Sequence, residues 1–276
     1  MDNRKKKFMI DKVIYSHWSK PAKDKYVGFN SKEAFADCAR LSIIYSRKWF
    51  DKVELITDKK GFEFLIDDLK LPFTDVKIEL DKLNHIGSTH WAIGKLYSCK
   101  MQKEPFMHLD FDAIWFKKPP DHVLMAGVGF QNKEFDKEFH WFYKPLMDEA
   151  KNWGLSVKAN FDRILAFNCG FMVFNDRSFL DEWFVYALEY IGQYDKYHDN
   201  NADIIHCSSI IFEQFFLANL CEYYGTNSVA LKDDWIDDET AEKYGYTHLI
   251  SVSKRNKSVE EKIHKRVLKE AKKGLC

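Results

Sequence analysis

The sequence predicts an α/β protein: a mostly parallel central sheet flanked by helices, with a helical portion towards the C-terminus. Three observations lead there. Apolar runs of strand length alternate with segments of helical apolar spacing through the first half of the chain. The 276 residues are 46% hydrophobic and 16% aromatic, enough for a sizeable core. Tyr15, Asp58 and the pair Asp110 and Asp112 all fall at carboxyl ends of expected strands, the edge where open sheets of this kind bind ligands.

Taken in order, Phe8 to Tyr15 reads as the first strand, and polar Ser19 to Asn30 as a loop. Ser31 is an N-cap with Ala34, Phe35, Cys38, Leu41 and Ile44 at helical spacing behind it. Val53 to Thr57 is a strand ending at Asp58. Gly61 to Leu69 is helical, and Val76 to Leu80 alternates as a further strand. Ser88 and Thr89 open a helix through Lys103. Pro105 ends it, and an apolar run over Phe106–Phe116 carries Asp110 and Asp112 until Pro119 and Pro120 stop it. In the second half, Val123–Phe130 is expected as a strand and Asp136–Trp153 as helical from Lys144 onward. Ile164–Asn175 is an apolar run interrupted by Asn168 and Gly170. Asp176–Ile191 is a helix, Asp195–Asp203 a loop, and Ser208 caps a helix to Tyr224 with Glu213 and Gln214 in its apolar middle. Tyr246–Ile250 is a short strand, and Val259–Lys272 a basic helix.

Lys plus Arg and Asp plus Glu number 42 each, so no global field favours nucleic acid or an acidic partner. Basic residues collect at Arg4–Lys7 and in the last turns, which leaves room for peripheral contact with a membrane face; solvated ends are the plainer account. Six scattered cysteines without a CxxC spacing give neither a zinc site nor a disulfide framework. The apolar stretch Phe8–Ile10 is broken by Asp11 and Lys12, so neither a signal peptide nor a spanning helix is expected, and a reducing, cytoplasmic location follows.

The chemistry concentrates at Asp110-Phe111-Asp112. Two carboxylates beside a core are costly without a partner. A divalent cation with hard oxygen ligands, Mg²⁺ or Mn²⁺, resolves that cost. Two solvated turn aspartates are the bland alternative. Glu213, among Ile210, Ile211, Phe212, Phe215 and Phe216, needs a partner or a raised pKa. Asn168 inside an apolar run needs hydrogen-bond partners. Trp91 is the best candidate for stacking on a sugar.

Four features occur in a fixed order: apolar strand into Asp110-x-Asp112, an Asn168-x-Gly170 strand, Glu213-Gln214 in a helix, and His248 followed six residues later by Lys254. In that order they resemble a GT-A-fold glycosyltransferase. The chain is most similar to the retaining, metal-dependent, nucleotide-sugar-using galactosyl- and glucosyltransferases of bacterial surface glycans. The resemblance runs from about Lys7 to Lys254. It implies a single domain over 1–276, with a nucleotide-sugar-binding half (7–120), an acceptor-side half (121–256) and the basic helix (257–276). It implies transfer of a hexose from a UDP-sugar, such as UDP-Glc, UDP-Gal or an N-acetyl derivative, to a glycan or lipid-linked hydroxyl acceptor. Mn²⁺ or Mg²⁺ would sit on the diphosphate.

Carried over residue by residue, the resemblance makes Asp110, Asp112 and His248 the metal ligands. Lys254 reaches the diphosphate, and Lys95 the nucleotide or donor sugar. Tyr15 and Asp58 hold the nucleoside. Asn168, Gly170, Glu213 and Gln214 face donor sugar and acceptor. One departure stands out: the family's last motif is His-x-x-Gly-x-x-Lys, and Ser251 replaces the glycine here. A haloacid-dehalogenase-type phosphohydrolase with Asp110 as nucleophile is the first rival, with Asp233-Asp234 and Asp237-Asp238 as its late acidic motif. A nucleotidyltransferase would want a Gly-rich, Arg-bearing loop after the first strand, where Tyr15-Ser16-His17-Trp18 stands. A non-enzymatic carbohydrate- or nucleotide-binding module is the third.

Overall fold

The computed structural model describes residues 10–21, 26–198 and 208–273. The strands are β1 (Lys12–His17), β2 (Lys52–Thr57), β3 (Asp75–Ile78), β4 (Phe106–Leu109), β5 (Ala113–Trp115), β6 (Val128–Phe130), β7 (Lys133–Phe135), β8 (Leu165–Phe167), β9 (Phe171–Phe174), β10 (Ser228–Ala230) and β11 (Tyr246–His248). Seven of them form the central sheet in the order β10-β6-β9-β4-β1-β2-β3. Every neighbouring pair in it is parallel except the two made by β9, which runs antiparallel between β4 and β6. The pairs β5–β11 and β7–β8 lie outside this sheet, both antiparallel.

Both faces of the sheet are buried, which is why its strands read as near-continuous apolar runs rather than a clean alternation. Ile14, Ile56, Phe106, Met172 and Phe174 point into one core. Helices α3 (Ile93–Lys100), α5 (Asp136–Asn152), α6 (Leu180–Tyr197) and α7 (Phe216–Tyr223) supply its other side. Val13, Tyr15, Leu55, Met107 and Val173 point into the second core, under α1 (Lys32–Trp49) and α9 (Lys257–Ala271). Ser31 caps α1 as expected, its hydroxyl accepting from the Ala34 N–H. The basic helix α9 packs on α1 through Val267 and the fully buried Glu270. Among the described residues no helix is long and apolar enough to cross a membrane; the basic run Arg4–Lys7 lies outside them.

Several boundaries differ from the sequence reading. The first strand runs on to His17, two residues past the expected end. The run Phe106–Phe116 is two strands, with Asp110–Asp112 as the turn between them. Ile164–Asn175 likewise divides at Asn168–Gly170, because its halves pair with different partners. Val123–Phe130 is strand only from Val128: the extended Pro120 caps a short helix, Asp121–Leu124, that takes up its first residues. The helix expected from Ser88 begins at Ile93, since the preceding residues make tighter turns around the buried His90, whose ring bonds Asp195 at 2.7 Å. Helix α5 starts at Asp136 rather than Lys144 and continues through Pro145. The loop expected at Asp195–Asp203 is helix to Tyr197, and 199–207 lie outside the described residues.

Candidate functional site

Because β1, β2, β4 and β6 share one direction and β9 opposes them, the carboxyl ends of the former and the amino end of β9 meet on one edge. That edge opens into a cavity of about 840 Å³, lined among others by His17, Lys95, Asp110, Asp112, Gly170 and His248. Asp110 follows β4, and its N–H donates to the Gly170 carbonyl at 3.0 Å. The Ala113 N–H closes the turn onto the Asp110 carbonyl at 3.1 Å. Both carboxylates therefore leave the turn between the two strands.

His248 arrives from the far end of the chain. The register of β11 against β5 sets His248 opposite Ala113, and the Leu249 N–H donates to the Asp112 carbonyl at 2.8 Å. Among the described residues, Asp110, Asp112 and His248 form the one group of three such side chains able to hold a metal ion, one ligand atom of each lying within 4.8 Å of the others. His248 Nδ1 is 2.8 Å from Gln131 Oε1, which also accepts from the Tyr246 hydroxyl at 2.8 Å. An amide oxygen can only accept, so Nδ1 carries a proton, and in the neutral, ligating imidazole Nε2 presents a lone pair. That lone pair lies 3.4 Å from Asp112 Oδ1. Two acceptors face each other there, an arrangement a shared cation satisfies. The donor set, two carboxylates and one neutral imidazole, fits Mn²⁺ and is usable by Mg²⁺.

Two lysines balance the carboxylates. Lys254 Nζ is 2.6 Å from Asp112 Oδ2. Burial alone would raise the Asp112 carboxyl, but the Lys254 ammonium beside it outweighs this and holds it well below the usual range. Lys95 Nζ sits 2.8 and 2.9 Å from the two oxygens of Asp110 and 2.5 Å from Glu213 Oε1, and it donates to the Cys169 carbonyl at 3.3 Å. Burial works to lower the Lys95 ammonium, yet the two carboxylates raise it, so it stays charged. Glu213 is 1% exposed and pushed up by burial against the pull of Lys95. Its contact with Lys95 is an ion pair by proximity; neither oxygen makes a well-directed hydrogen bond. Lys95 thus bridges Asp110 and Glu213 instead of standing free in the cavity.

Gly170 has a packing reason. A Cβ there would lie 2.4 Å from His248 Nδ1 and 2.6 Å from Gln131 Oε1, so any side chain would part that hydrogen bond. Asn168 is spent locally: its Oδ1 accepts from the Gly170 N–H at 3.2 Å, and its amide donates to Glu134 at 3.0 Å. Ser251, standing where the resemblance expects glycine, has φ of 51°, the left-handed region glycine favours. Lys254 beyond it reaches Asp112 while donating to the Val27 carbonyl at 3.2 Å.

Two expectations fail on geometry. Tyr15 lies in the interior of β1, fully buried, its hydroxyl 2.8 Å from both Ser42 and Ser46. The strand's extra two residues bring Ser16 and His17 to the cavity instead. Asp58 caps the turn after β2: it accepts from the Gly61 N–H at 2.7 Å, the Ser19 N–H at 3.0 Å and the Ser19 hydroxyl at 2.6 Å. Neither lines the cavity, so neither is positioned to hold a nucleoside. His17, pushed down to about 4 by burial against the opposing charge of Asp58, is an uncharged imidazole at neutral pH. The late acidic pairs are elsewhere too: Asp237 caps a helix through Thr240 and pairs with Lys232, and Asp233 pairs with Lys133.

Sequence reasoning missed Gln131, Glu134 and Tyr143. Gln131 was within reach of the strand-end argument that found Asp110, since it follows β6 directly. Glu134 and Tyr143 carry no local signal; β7 pairing with β8 brings Glu134 to Asn168, and Tyr143 meets Gln214 only through the packing of α5.

Fold and site together define an α/β protein with a partly buried carboxylate–histidine cluster at the carboxyl edge of its sheet. The chain belongs to the family of unknown function DUF6734, whose model matches residues 11–273. Among solved structures it is similar to mouse xyloside xylosyltransferase 1 in its apo form (12% identity, 89% of this chain and 93% of that one, TM-score 0.42). It is similar also to the galactosyltransferase LgtC in complex with donor and acceptor sugar analogues (10% identity, 96% and 100%, TM-score 0.43). A third is the inositol-1-phosphate CTP transferase from T. maritima (12% identity, 93% and 96%, TM-score 0.42). No curated protein matches the sequence.

Proposed function

We propose that this protein is a metal-dependent glycosyltransferase that moves a hexose from a nucleoside-diphosphate sugar, UDP-linked, to a hydroxyl of a glycan or lipid-linked acceptor. The observation that carries the reading is the convergence of Asp110, Asp112 and His248, one ligand atom of each within 4.8 Å of the others, in a cavity of about 840 Å³ on the ligand-binding edge of the sheet. Bound there, Mn²⁺ or Mg²⁺ would neutralise the diphosphate and assist its departure as a Lewis acid.

The chain's own residues have separable tasks in this reading. Asp110 and Asp112 supply oxygen ligands, and Gln131 keeps His248 in the ligating tautomer. Lys254 hands Asp112 over and turns its ammonium to the departing phosphate, where negative charge develops. Lys95 stays between Asp110 and Glu213 and fixes the face of the metal site turned to the sugar. Gly170 and Gln214 border the space for donor sugar and acceptor. Retention at the anomeric carbon rests on the family resemblance.

Calorimetry of UDP with and without Mn²⁺, followed by a screen of UDP- and GDP-sugars for slow donor hydrolysis, tests the reading, since hydrolysis needs no acceptor. Mn²⁺-dependent UDP binding with turnover of one donor is expected. Undiminished turnover in EDTA would sink the metal's role, and phosphatase activity without any sugar donor would return the dehalogenase-type reading.

A further inference from the structure

Behind the cavity wall, Tyr143 is fully buried and its single hydroxyl proton faces two close oxygens. Glu134 Oε2 lies at 2.5 Å and Gln214 Oε1 at 2.6 Å. One proton cannot serve both, so a second donor is required. Two arrangements satisfy the count. In one, Glu134 is a neutral acid that donates to Tyr143, which donates to Gln214 Oε1 and leaves the Gln214 amide nitrogen facing the cavity. In the other, Glu134 is ionised, Tyr143 donates to it, and Gln214 turns its nitrogen to Tyr143 and its oxygen outward.

The surroundings of Glu134 decide between them. It is 3% exposed, and its hydrogen bonds are to the neutral groups Asn168 and Tyr143. No Lys or Arg pairs with it among the described residues. The buried Glu213, another carboxylate, is close enough to interact with it unfavourably. An ionised carboxylate so placed is costly, whereas the acid form satisfies every partner. Burial accordingly pushes the Glu134 carboxyl up, outweighing the hydrogen bonds from Tyr143 and Asn168 and the opposing effect of His248.

We infer that Glu134, as a neutral carboxylic acid, works through Tyr143 to fix the Gln214 amide with its nitrogen towards the cavity. Gln214 is then a specificity-determining donor for an acceptor oxygen of the ligand: a hydroxyl or ring oxygen, or an acyl carbonyl. Its Nε2 has no protein partner among the described residues and is not sealed from solvent, as an open donor should be. Glu134 and Tyr143 are positioning residues. The assignment of a sugar oxygen as the partner rests on the glycosyltransferase reading; the protonation of Glu134 does not.

The test has two arms. Infrared difference spectroscopy of wild type against Glu134→Gln at pH 7 should show a protonated-carboxyl band belonging to Glu134. Its absence at pH 7, with a band emerging only on acidification, would overturn the relay whatever the protein's activity. In the second arm, donor hydrolysis is followed in three variants. Glu134→Gln mimics the neutral acid, donating from its amide to Tyr143, and should keep KM within about twofold. Tyr143→Phe and Gln214→Glu should each raise KM about tenfold, the usual scale of one lost neutral hydrogen bond, with melting behaviour and Mn²⁺ binding retained. A Glu134→Gln variant as impaired as Tyr143→Phe would overturn the proposal. A wild type without any donor turnover would instead remove the glycosyltransferase reading and leave the infrared arm to judge the relay.

Discussion

Asp112 sits between a lysine and a histidine whose lone pair faces it, and this crowding is what its removal probes. On the proposed reading, Asp112→Ala removes a metal ligand and Asp110→Asn the charge of another, so each should lower Mn²⁺-dependent donor turnover by at least about 100-fold. Circular dichroism and melting should report an intact fold for the Asp112 variant. Gly170→Ala probes the same cluster from behind. The new Cβ would part His248 from Gln131, so Mn²⁺ affinity should fall by roughly 10–100-fold, the range for a lost outer partner of a ligand, read by calorimetry. Unchanged affinity would show that Gln131 does not orient His248. Lys95→Met leaves Asp110 and Glu213 close together without their cation. A loss of about 3–5 kcal/mol in urea unfolding at pH 7 is expected. Both carboxyls would then titrate above the usual range. The folded state of that variant binds more protons than the unfolded chain there, so its stability should recover as pH falls. A variant that is equally unstable at every pH would refute the bridging role.

At the scale of elements, the C-terminal helix shows how a basic tail becomes part of the core. Glu270 in α9 accepts from Lys48 at 2.9 Å, and from the Tyr45 hydroxyl and Lys273 at 3.1 Å each. The Lys48 bond leads in holding the carboxyl down to about 2, against the opposing effect of burial. A depressed folded-state pKa gives stability that is complete above the ordinary glutamate range and is lost as pH falls through about 2. Hydrogen exchange over Lys257–Ala271 should therefore accelerate selectively in acid. Glu270→Gln should show faster exchange at pH 7 and little further change on acidification. An α9 whose protection is independent of both pH and this substitution would exclude Glu270 as the lock. The turn between β4 and β5 makes a related point. The run Phe106–Phe116 was legible as apolar and strand-like, but its division into two strands belongs to the pairing partners, β9 for one part and β11 for the other.

At the scale of the molecule, the cavity joins residues from nearly the whole described chain, from Ser16 to Arg255. A ligand that bridges them should stabilise the fold by mass action. Mn²⁺ with UDP at 100-fold over Kd should add about 2.7 kcal/mol and raise the melting temperature by on the order of 5–10 °C for a chain of this size. EDTA should reverse the shift, and neither component alone should reach it. A shift that is the same for UDP with or without Mn²⁺ would separate nucleotide binding from the carboxylate cluster.

The sequence by itself determined the α/β class, the placement of Asp110 and Asp112 at a strand end, and the need of Glu213 and Asn168 for partners. These follow from local facts: apolar periodicity, capping and turn residues, and the cost of burying a charge or an amide. Tertiary structure alone decided who those partners are. Lys95 meets Glu213 across 118 positions, and His248 meets Gln131 across 117. Tyr15 illustrates the limit in the other direction. A strand that ends two residues later than its apolar pattern turned an expected ligand contact into a core tyrosine. Periodicity fixes which face a side chain takes, but where a strand stops, and what lies across from it, is fixed by pairing with strands remote in the chain.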